Sequence, residues 1–577
     1  MRKLMLCNEA IARGAYEAGV TVASSYPGTP STEITEFISK YDEIHSEWAP
    51  NEKVATEVAV GASMAGARSM TAMKHVGLNV AADPLFTASY IGTNGGMVLC
   101  VADDPGMHSS QNEQDSRHFA VGAKVPMLEP SDSSECLNYM KIAYDISEKF
   151  DTPVIVRLTT RVAHSQSLVD MGLRSEISLR DYEKNTAKNV MVPANAKPKH
   201  ILVEKRMIEL TGYAETSGIN KVIMNDTKIG IISAGISYQY AKEAIPNASF
   251  LKLGMVNPLP VSLIQEFAAS VDTCFVVEQL DPVIEAHCKK CGIKVIGKEL
   301  FPLIGEISAS MVKEKILGAE KEEVNVIAEN IPIRPPVMCP GCSHRGVFYV
   351  LKKLGLNVSG DIGCYSLGCG KPLDSIDSII CMGASVSAAH GMEKARGRDF
   401  AAKTVAVLGD STFIHSGITS LINVVYNKGT TTTIILDNSI TGMTGHQQNP
   451  STGFTIKGEP TRQVDLVKLC NAVGVDRVVV ADPFNLSEFE RIVKEEINAD
   501  EPSVIIAQRP CALIKKAGYR GCYAINSEKC KNCKMCMKLG CPAISVSENG
   551  LKIDSTLCVG CGLCPEVCKF GAIEKVN

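Results

Sequence analysis

No run in this sequence is long and apolar enough to span a membrane. Stretches such as MVLCVA and VIIA are strand-sized, far short of the ~20 residues a span needs. No sign of charge dominates either. The net charge of -4 over 577 residues gives no reason to expect nucleic acid or an anionic membrane as partner. The opening MRKLMLC has a basic pair and a few apolar residues, too few for the core of an export signal. It reads as a first strand of a cytoplasmic protein. Aromatics are scarce, 5% with one tryptophan, so no pocket shape can be read.

Cysteine is abundant. The chain has 22, and eight fall in two tight runs near the end. Without an export signal, that pattern points to metal ligation in a reducing, oxygen-poor cytoplasm rather than to the disulfides of a secreted protein. The second run, Cys558, Cys561, Cys564 and Cys568, has the C-x2-C-x2-C-x3-C spacing of bacterial ferredoxins, with Lys569 where a proline usually follows. The first run, Cys530, Cys533, Cys536 and Cys541, has one extra residue before its last cysteine, then Pro542. In two-cluster ferredoxins the fourth cysteine of each run ligates the other cluster. The expected sets are therefore Cys530, Cys533, Cys536 and Cys568 for one [4Fe–4S] cluster, and Cys541, Cys558, Cys561 and Cys564 for the other. Structural zinc is the alternative, but four-cysteine zinc sites usually come as two separated pairs rather than triplets.

The rest of the chain is too long for one core. Strand-like runs (VTVASS, SMTAMKH, GGMVLCVADD, TPVIVRL) alternate with helix-like ones, which predicts an α/β fold of doubly wound parallel sheets. Four regions are expected: an α/β domain over 1–165, a linker and second α/β domain over 166–330, a third over 335–515, and a small two-cluster ferredoxin domain over 520–577. Residues from about 165 to 225 read as polar and irregular, and GAEKEEVNVIAENIPIRPP as a boundary near 330.

In the third α/β region the strand TVAVL runs into Gly409-Asp410-Ser411, and TTTIIL ends at Asp437-Asn438. Both turns fall at carboxyl ends of strands, where such sheets bind ligands. Gly409 lets the backbone approach a diphosphate, and the helix that follows favours negative charge. Asp410, Asn438 and the Ile440 carbonyl offer oxygens suited to Mg²⁺. The pair resembles the thiamine diphosphate motif, with Ser411 and Asp437 as departures from it. Thiamine chemistry also needs a carboxylate against the pyrimidine ring. Glu57, at the head of the small-residue stretch EVAVGASMAGAR, is the expected acid, with Glu52 as the alternative.

With SSYPGTPST, DDPGMHSSQNEQDSR, CPGCSHRG, GDIGC, GDSTFIHSG and LDNSITGMTGHQ added, the whole chain resembles the alpha subunits of the indolepyruvate enzymes in the 2-oxoacid:ferredoxin oxidoreductase family. The resemblance makes 1–165 the pyrimidine-binding domain, 166–330 a linker with a transketolase C-terminal-like domain, and 335–515 the diphosphate-binding domain. It implies that an arylpyruvate (indolepyruvate or phenylpyruvate), coenzyme A and oxidised ferredoxin give aryl-acetyl-CoA, carbon dioxide and reduced ferredoxin. It also implies a smaller beta subunit and a dimer of heterodimers. Thr29, Arg117 and His108 become substrate contacts, against a loop-stabilising role for each. Cys339, Cys342 and Cys364 match positions that carry a third cluster in some relatives; no motif marks a fourth ligand, though Cys369 and Cys381 are near in sequence. His287-Cys288-x2-Cys291 reads as incidental. Two rival functions are a nonoxidative thiamine-dependent decarboxylase or synthase, which would release aldehyde or acyloin without CoA, and a noncatalytic electron-transfer subunit. Joint retention of an acid, Asp410 and Asn438 argues against the second.

Overall fold

Strand-forming runs end at Gly, Pro or Asp, and the helices between them place alanine and valine at helical spacing, so the chain winds parallel sheets. A computed structural model describes residues 1–319, 335–548 and 550–576. The expected boundary near 330 lies outside them. Two units are formed, Met1–Ala328 and Glu329–Asn577.

The first unit holds a seven-stranded sheet. Its spatial order is Met255–Asn257, Met127–Leu128, Val154–Thr159, Met97–Asp103, Ser69–Lys74, Val22–Ser25 and His45–Trp48. All neighbours are parallel except Met255–Asn257, which enters antiparallel from the second sheet of the same unit. That second sheet has four strands, with Asp226–Ala234 and Ala248–Leu253 at its centre. MRKLMLC does form a strand, Arg2–Leu6, but it pairs only with Gln166–Asp170 as a separate antiparallel ribbon. The stretch read as irregular contains a 24-residue helix, Pro193–Thr216. Val203, Arg206, Leu210 and Ala214 form its buried stripe. Exposed Ile201, Leu202 and Ile208 spread apolar residues around the helix and hide that stripe in the sequence.

The second unit is built on a five-stranded, wholly parallel sheet in the order Asn357–Ser359, Thr404–Gly409, Thr432–Asp437, Ser503–Gln508 and Arg477–Ala481. Two short antiparallel pairs follow, Cys522–Ile525 with Ile573–Val576 and Ile544–Ser547 with Gly550–Ile553. Their cysteine-bearing loops share one apolar core with the sheet: Leu539, Ile544 and Leu563 pack in the same cluster as Val347, Phe348 and Val405. Among the described residues no helix is long and apolar enough to cross a membrane.

Candidate active site and electron path

In the first unit, one strand end gathers three motifs. Ser69–Lys74 runs directly into the helix His75–Val80. Lys74 is buried, and its ammonium donates to the Ser109 carbonyl at 2.6 Å. Ser109 in turn lies 3.5 Å, through its hydroxyl, from the Thr29 carbonyl. Asp104 folds this loop by accepting from the Ser109 amide (2.9 Å), the Ser110 hydroxyl (2.5 Å) and the Thr160 hydroxyl (2.7 Å). A side chain on Gly28 would come within 3.1 Å of Lys74 Cβ, so the loops pack closely. Burial pulls the Lys74 ammonium down to about 8, with the Asp104 carboxylate opposing. Thr29 is thus half-buried beside a desolvated cation that the sequence reading did not single out.

Three residues beyond Lys74, Gly77 makes room for a carboxylate. A Cβ there would stand 2.5 Å from Glu52 Oε1. Glu52 opens the helix Glu52–Met64, whose cap is Asn51, accepting the Val54 amide at 2.9 Å. Glu52, Ala55, Thr56, Ala59 and Ser63 form the buried face of that helix. Glu57 falls on the opposite face, 46% exposed, paired one turn back with Lys53. The structure therefore turns the expected acid, Glu57, away from this strand end and sets the alternative, Glu52, 5% exposed, against it.

Two further candidates are already bonded within the protein. Arg117 is fully buried in an ion-pair cluster, 2.6 Å from both Asp115 and Glu278, and also donates to the carbonyls of Gln279 and Asp281. These contacts join the helix after a strand of the seven-stranded sheet to the segment after a strand of the four-stranded one and already engage the guanidinium on every side. His108 is 44% exposed and lies 3.2 Å from Glu306, which also binds Arg161 at 2.7 Å. His108 thus meets Glu306 while almost half of its side chain stays open to solvent.

In the second unit, Gly409 and Asp410 end one central strand and Asp437 and Asn438 end its neighbour. A Cβ on Gly409 would stand 2.9 Å from the Tyr365 ring, so the glycine is needed for close packing. Asp410 is buried. Its Oδ2 lies 2.6 Å from the Ser451 hydroxyl, which also lies 2.6 Å from Asn449 Oδ1. Burial, then repulsion from Asp437, pushes the Asp410 carboxyl up to about 7. A desolvated carboxylate repelled by another at strand ends fits a cation site. Ser411 is buried beside Asp410, and Asn438 Oδ1 accepts the Ile440 amide at 3.2 Å. These residues could hold a divalent cation and the diphosphate it binds.

The cysteines fall into groups. Burial raises the Cys536 thiol, and repulsion from Cys530, Cys533 and Cys568 adds to it. Burial likewise raises Cys564, with Cys561, Cys541 and Cys558 adding. The second four surround one cavity, whose wall includes Pro340, Gly341 and Arg345. Each thiolate of a cube binds a different iron, so four cysteines lining one cavity suit a cluster. A third group was only partly legible. Burial raises Cys364, with Cys511 and Cys339 adding; Cys342 feels Cys364 and Cys339 in the same way. Cys511 is the neighbour the sequence did not mark, in place of Cys369 or Cys381. Its amide donates to the Asn438 carbonyl at 2.9 Å, so this group lies beside the Asp437-Asn438 turn.

Three family models match the chain. One for pyruvate flavodoxin/ferredoxin oxidoreductase, thiamine diphosphate-binding, covers 13–226. One for the C-terminal TPP-binding domain of thiamine pyrophosphate enzymes covers 361–507, and one for a 4Fe-4S binding domain covers 551–574. Thiamine diphosphate-binding domains and a 4Fe-4S tail together define a thiamine-dependent 2-oxoacid:ferredoxin oxidoreductase. The chain is 41% identical to the indolepyruvate oxidoreductase subunit IorA of Archaeoglobus fulgidus, over 99% of this chain and 97% of that one. It is 40% identical to IorA of Pyrococcus horikoshii, over 100% and 97%. The 2-oxoglutarate synthase subunit KorA of Archaeoglobus fulgidus is 25% identical over 52% of this chain and 96% of its own length. The chain belongs to the family of indolepyruvate oxidoreductase IorA subunits.

Proposed function

We propose that the protein catalyses oxidative decarboxylation of arylpyruvates, indolepyruvate and phenylpyruvate, with coenzyme A, giving aryl-acetyl-CoA and carbon dioxide while electrons leave through [4Fe–4S] clusters to ferredoxin. The observation that carries this reading is the gathering of Cys541, Cys558, Cys561 and Cys564 around one cavity in the unit that also holds the Asp410 and Asn438 turns. The names of the relatives carry the substrate class. Thiamine diphosphate, when bound, supplies the carbon nucleophile and electron sink for decarboxylation.

The chain's own residues divide the remaining work. Glu52, buried against Gly77, orients the pyrimidine ring and moves its proton. Asp410, Asn438 and the Ile440 carbonyl hold Mg²⁺, and Gly409 and Ser411 line the diphosphate. Lys74 and Thr29 hold the substrate carboxylate. A desolvated ammonium binds an anion more strongly than an exposed one would. Cys530, Cys533, Cys536 and Cys568 hold one cluster; Cys541, Cys558, Cys561 and Cys564 hold a second. Cys339, Cys342, Cys364 and Cys511 hold a third, nearest the thiamine turn. A smaller beta subunit, as the relatives' subunit name suggests, completes a dimer of heterodimers.

The test is product analysis. The chain, with its beta subunit, is given thiamine diphosphate, Mg²⁺, CoA, an oxidised ferredoxin and either an aryl or an aliphatic oxoacid under anaerobic conditions. Aryl-acetyl-CoA is expected as the main product, with aryl acids preferred over pyruvate and 2-oxoglutarate. Aldehyde alone, formed without consumption of CoA, would replace this reading with the nonoxidative decarboxylase.

A further inference from the structure

The two ferredoxin-type cysteine groups differ in what flanks them. Every ligand of the group Cys541, Cys558, Cys561 and Cys564 has only Gly, Pro, Leu or Val on either side. The other group is flanked by lysine. Lys529 and Lys531 bracket Cys530, Lys534 follows Cys533, Lys538 stands two after Cys536, and Lys569 follows Cys568. From Lys529 to Ser547 there is no acidic residue.

Each group has one buried cysteine, Cys536 and Cys564, but only the lysine-flanked group has an exposed one. That exposed one is Cys533. The uncharged group faces inward: a Cβ on Gly341 would stand 3.2 Å from Cys561 Cβ and 2.5 Å from Val559, so the loop of Cys339 and Cys342 closes over it. Arg345 pins the same junction by donating to the Leu539 carbonyl at 2.9 Å. Lys531, Lys534, Lys538 and Lys569 are all exposed. Lys529 is neutralised by Glu574 at 2.6 Å; the other four make no salt bridge among the described residues. Phe570, 47% exposed, adds an apolar contact next to Lys569. A cluster rimmed by unpaired cations with one aromatic is a surface complementary to an acidic protein.

We propose that the lysine-rimmed face over Cys530, Cys533, Cys536 and Cys568 is the docking surface for an acidic one-electron carrier protein. The quartet Cys541, Cys558, Cys561 and Cys564 is then the inner relay. The assignment rests on the oxidoreductase reading and adds a direction to it. At the surface one electron leaves the reduced outer cluster and enters the oxidised centre of the carrier; no bond is made or broken and no proton moves.

The experiment starts from the holoprotein reduced with dithionite and then freed of it, so it does not depend on any oxoacid reaction. It is mixed in a stopped-flow instrument with an acidic bacterial two-cluster ferredoxin, or with lumiflavin as a small uncharged acceptor. Lys531→Glu, Lys534→Glu and Lys538→Glu combined should slow transfer to the ferredoxin about tenfold or more at low salt, because steering by complementary charge sets the association rate. The corresponding triple Lys→Gln variant should fall between. The differences should shrink at about 0.5 M salt, where screening acts within a few ångströms. Lumiflavin rates should not change. Equal ferredoxin rates in all three proteins at low salt, or an equal loss with lumiflavin, would overturn the assignment. If oxoacids fail to reduce the clusters while these rates differ as stated, the proposed function falls and the docking surface stands.

Discussion

Replacing Glu52 by Gln removes one ionisable proton and almost no volume. The site is 5% exposed and is closed by Gly77, whose backbone leaves no room for a further carbon. A solvent carboxylate therefore has no path to substitute, and the full contribution of acid–base catalysis should be lost. That contribution is typically about 10²–10⁴ in rate, or about 3–5 kcal/mol of barrier. Glu57→Gln instead breaks an exposed pair one helical turn apart, Lys53 with Glu57, which water and salt screen. It should leave turnover and melting temperature nearly unchanged. Gly77→Ala should behave like Glu52→Gln, since its new carbon would sit 2.5 Å from Oε1 and push the carboxylate aside. The assay is aryl-acetyl-CoA formation under anaerobic conditions, with cluster absorbance and melting recorded on the same samples. Glu52→Gln with wild-type turnover, or Glu57→Gln with none, would refute the reasoning.

Lys74→Met should raise KM for the oxoacid about tenfold or more and also raise the melting temperature at neutral pH, opposite effects that a purely structural lysine would not show. The sign follows from its ammonium, held at about 8 against an ordinary 10.5. Below about pH 8 the folded protein bears a buried charge costing roughly 3 kcal/mol; between about 8 and 10.5 the unfolded chain holds more proton, so stability from this residue rises with pH. Oxoacid binding should weaken over that rise. Arg117→Met should cost about 3–5 kcal/mol of stability by stranding buried Asp115 and Glu278, seen as a large drop in melting temperature; unchanged melting with a higher KM would restore it as a substrate contact. Cys511→Ala should remove about four irons per chain while the two ferredoxin-type clusters remain; unchanged iron content would exclude the third cluster.

The sheets and the iron–sulfur tail were legible because their signals are local. Strands such as TVAVLG and TTIILD are uninterrupted apolar runs of the kind that parallel sheets bury on both faces, and they stand at Thr404–Gly409 and Thr432–Asp437. What the sequence hid depends on contacts distant along the chain. Arg117 looks like an anion clamp until Glu278, more than 150 residues away, is seen to hold it. Cys511 is isolated in sequence and becomes the partner of Cys364 only when the last strand of the sheet returns beside the Asn438 turn. Glu52 was within reach. Ala55, Ala59 and Ser63 mark the inward face at helical spacing, and that face carries Glu52 while Glu57 shares the outer one with Gly61. Lys74 was also readable, as a lysine ending an otherwise uncharged strand just where parallel sheets place ligands.

The central claim is that thiamine chemistry on a 2-oxoacid feeds electrons into this chain's own clusters. The direct measurement is anaerobic absorbance near ~400 nm, where Fe–S thiolate charge transfer bleaches on reduction, recorded with indolepyruvate and CoA, with and without thiamine diphosphate, and with no external acceptor. Bleaching that requires both thiamine diphosphate and the oxoacid, and that is lost in Glu52→Gln, is the predicted result. Carbon dioxide release at a comparable rate with the absorbance unchanged would contradict the claim.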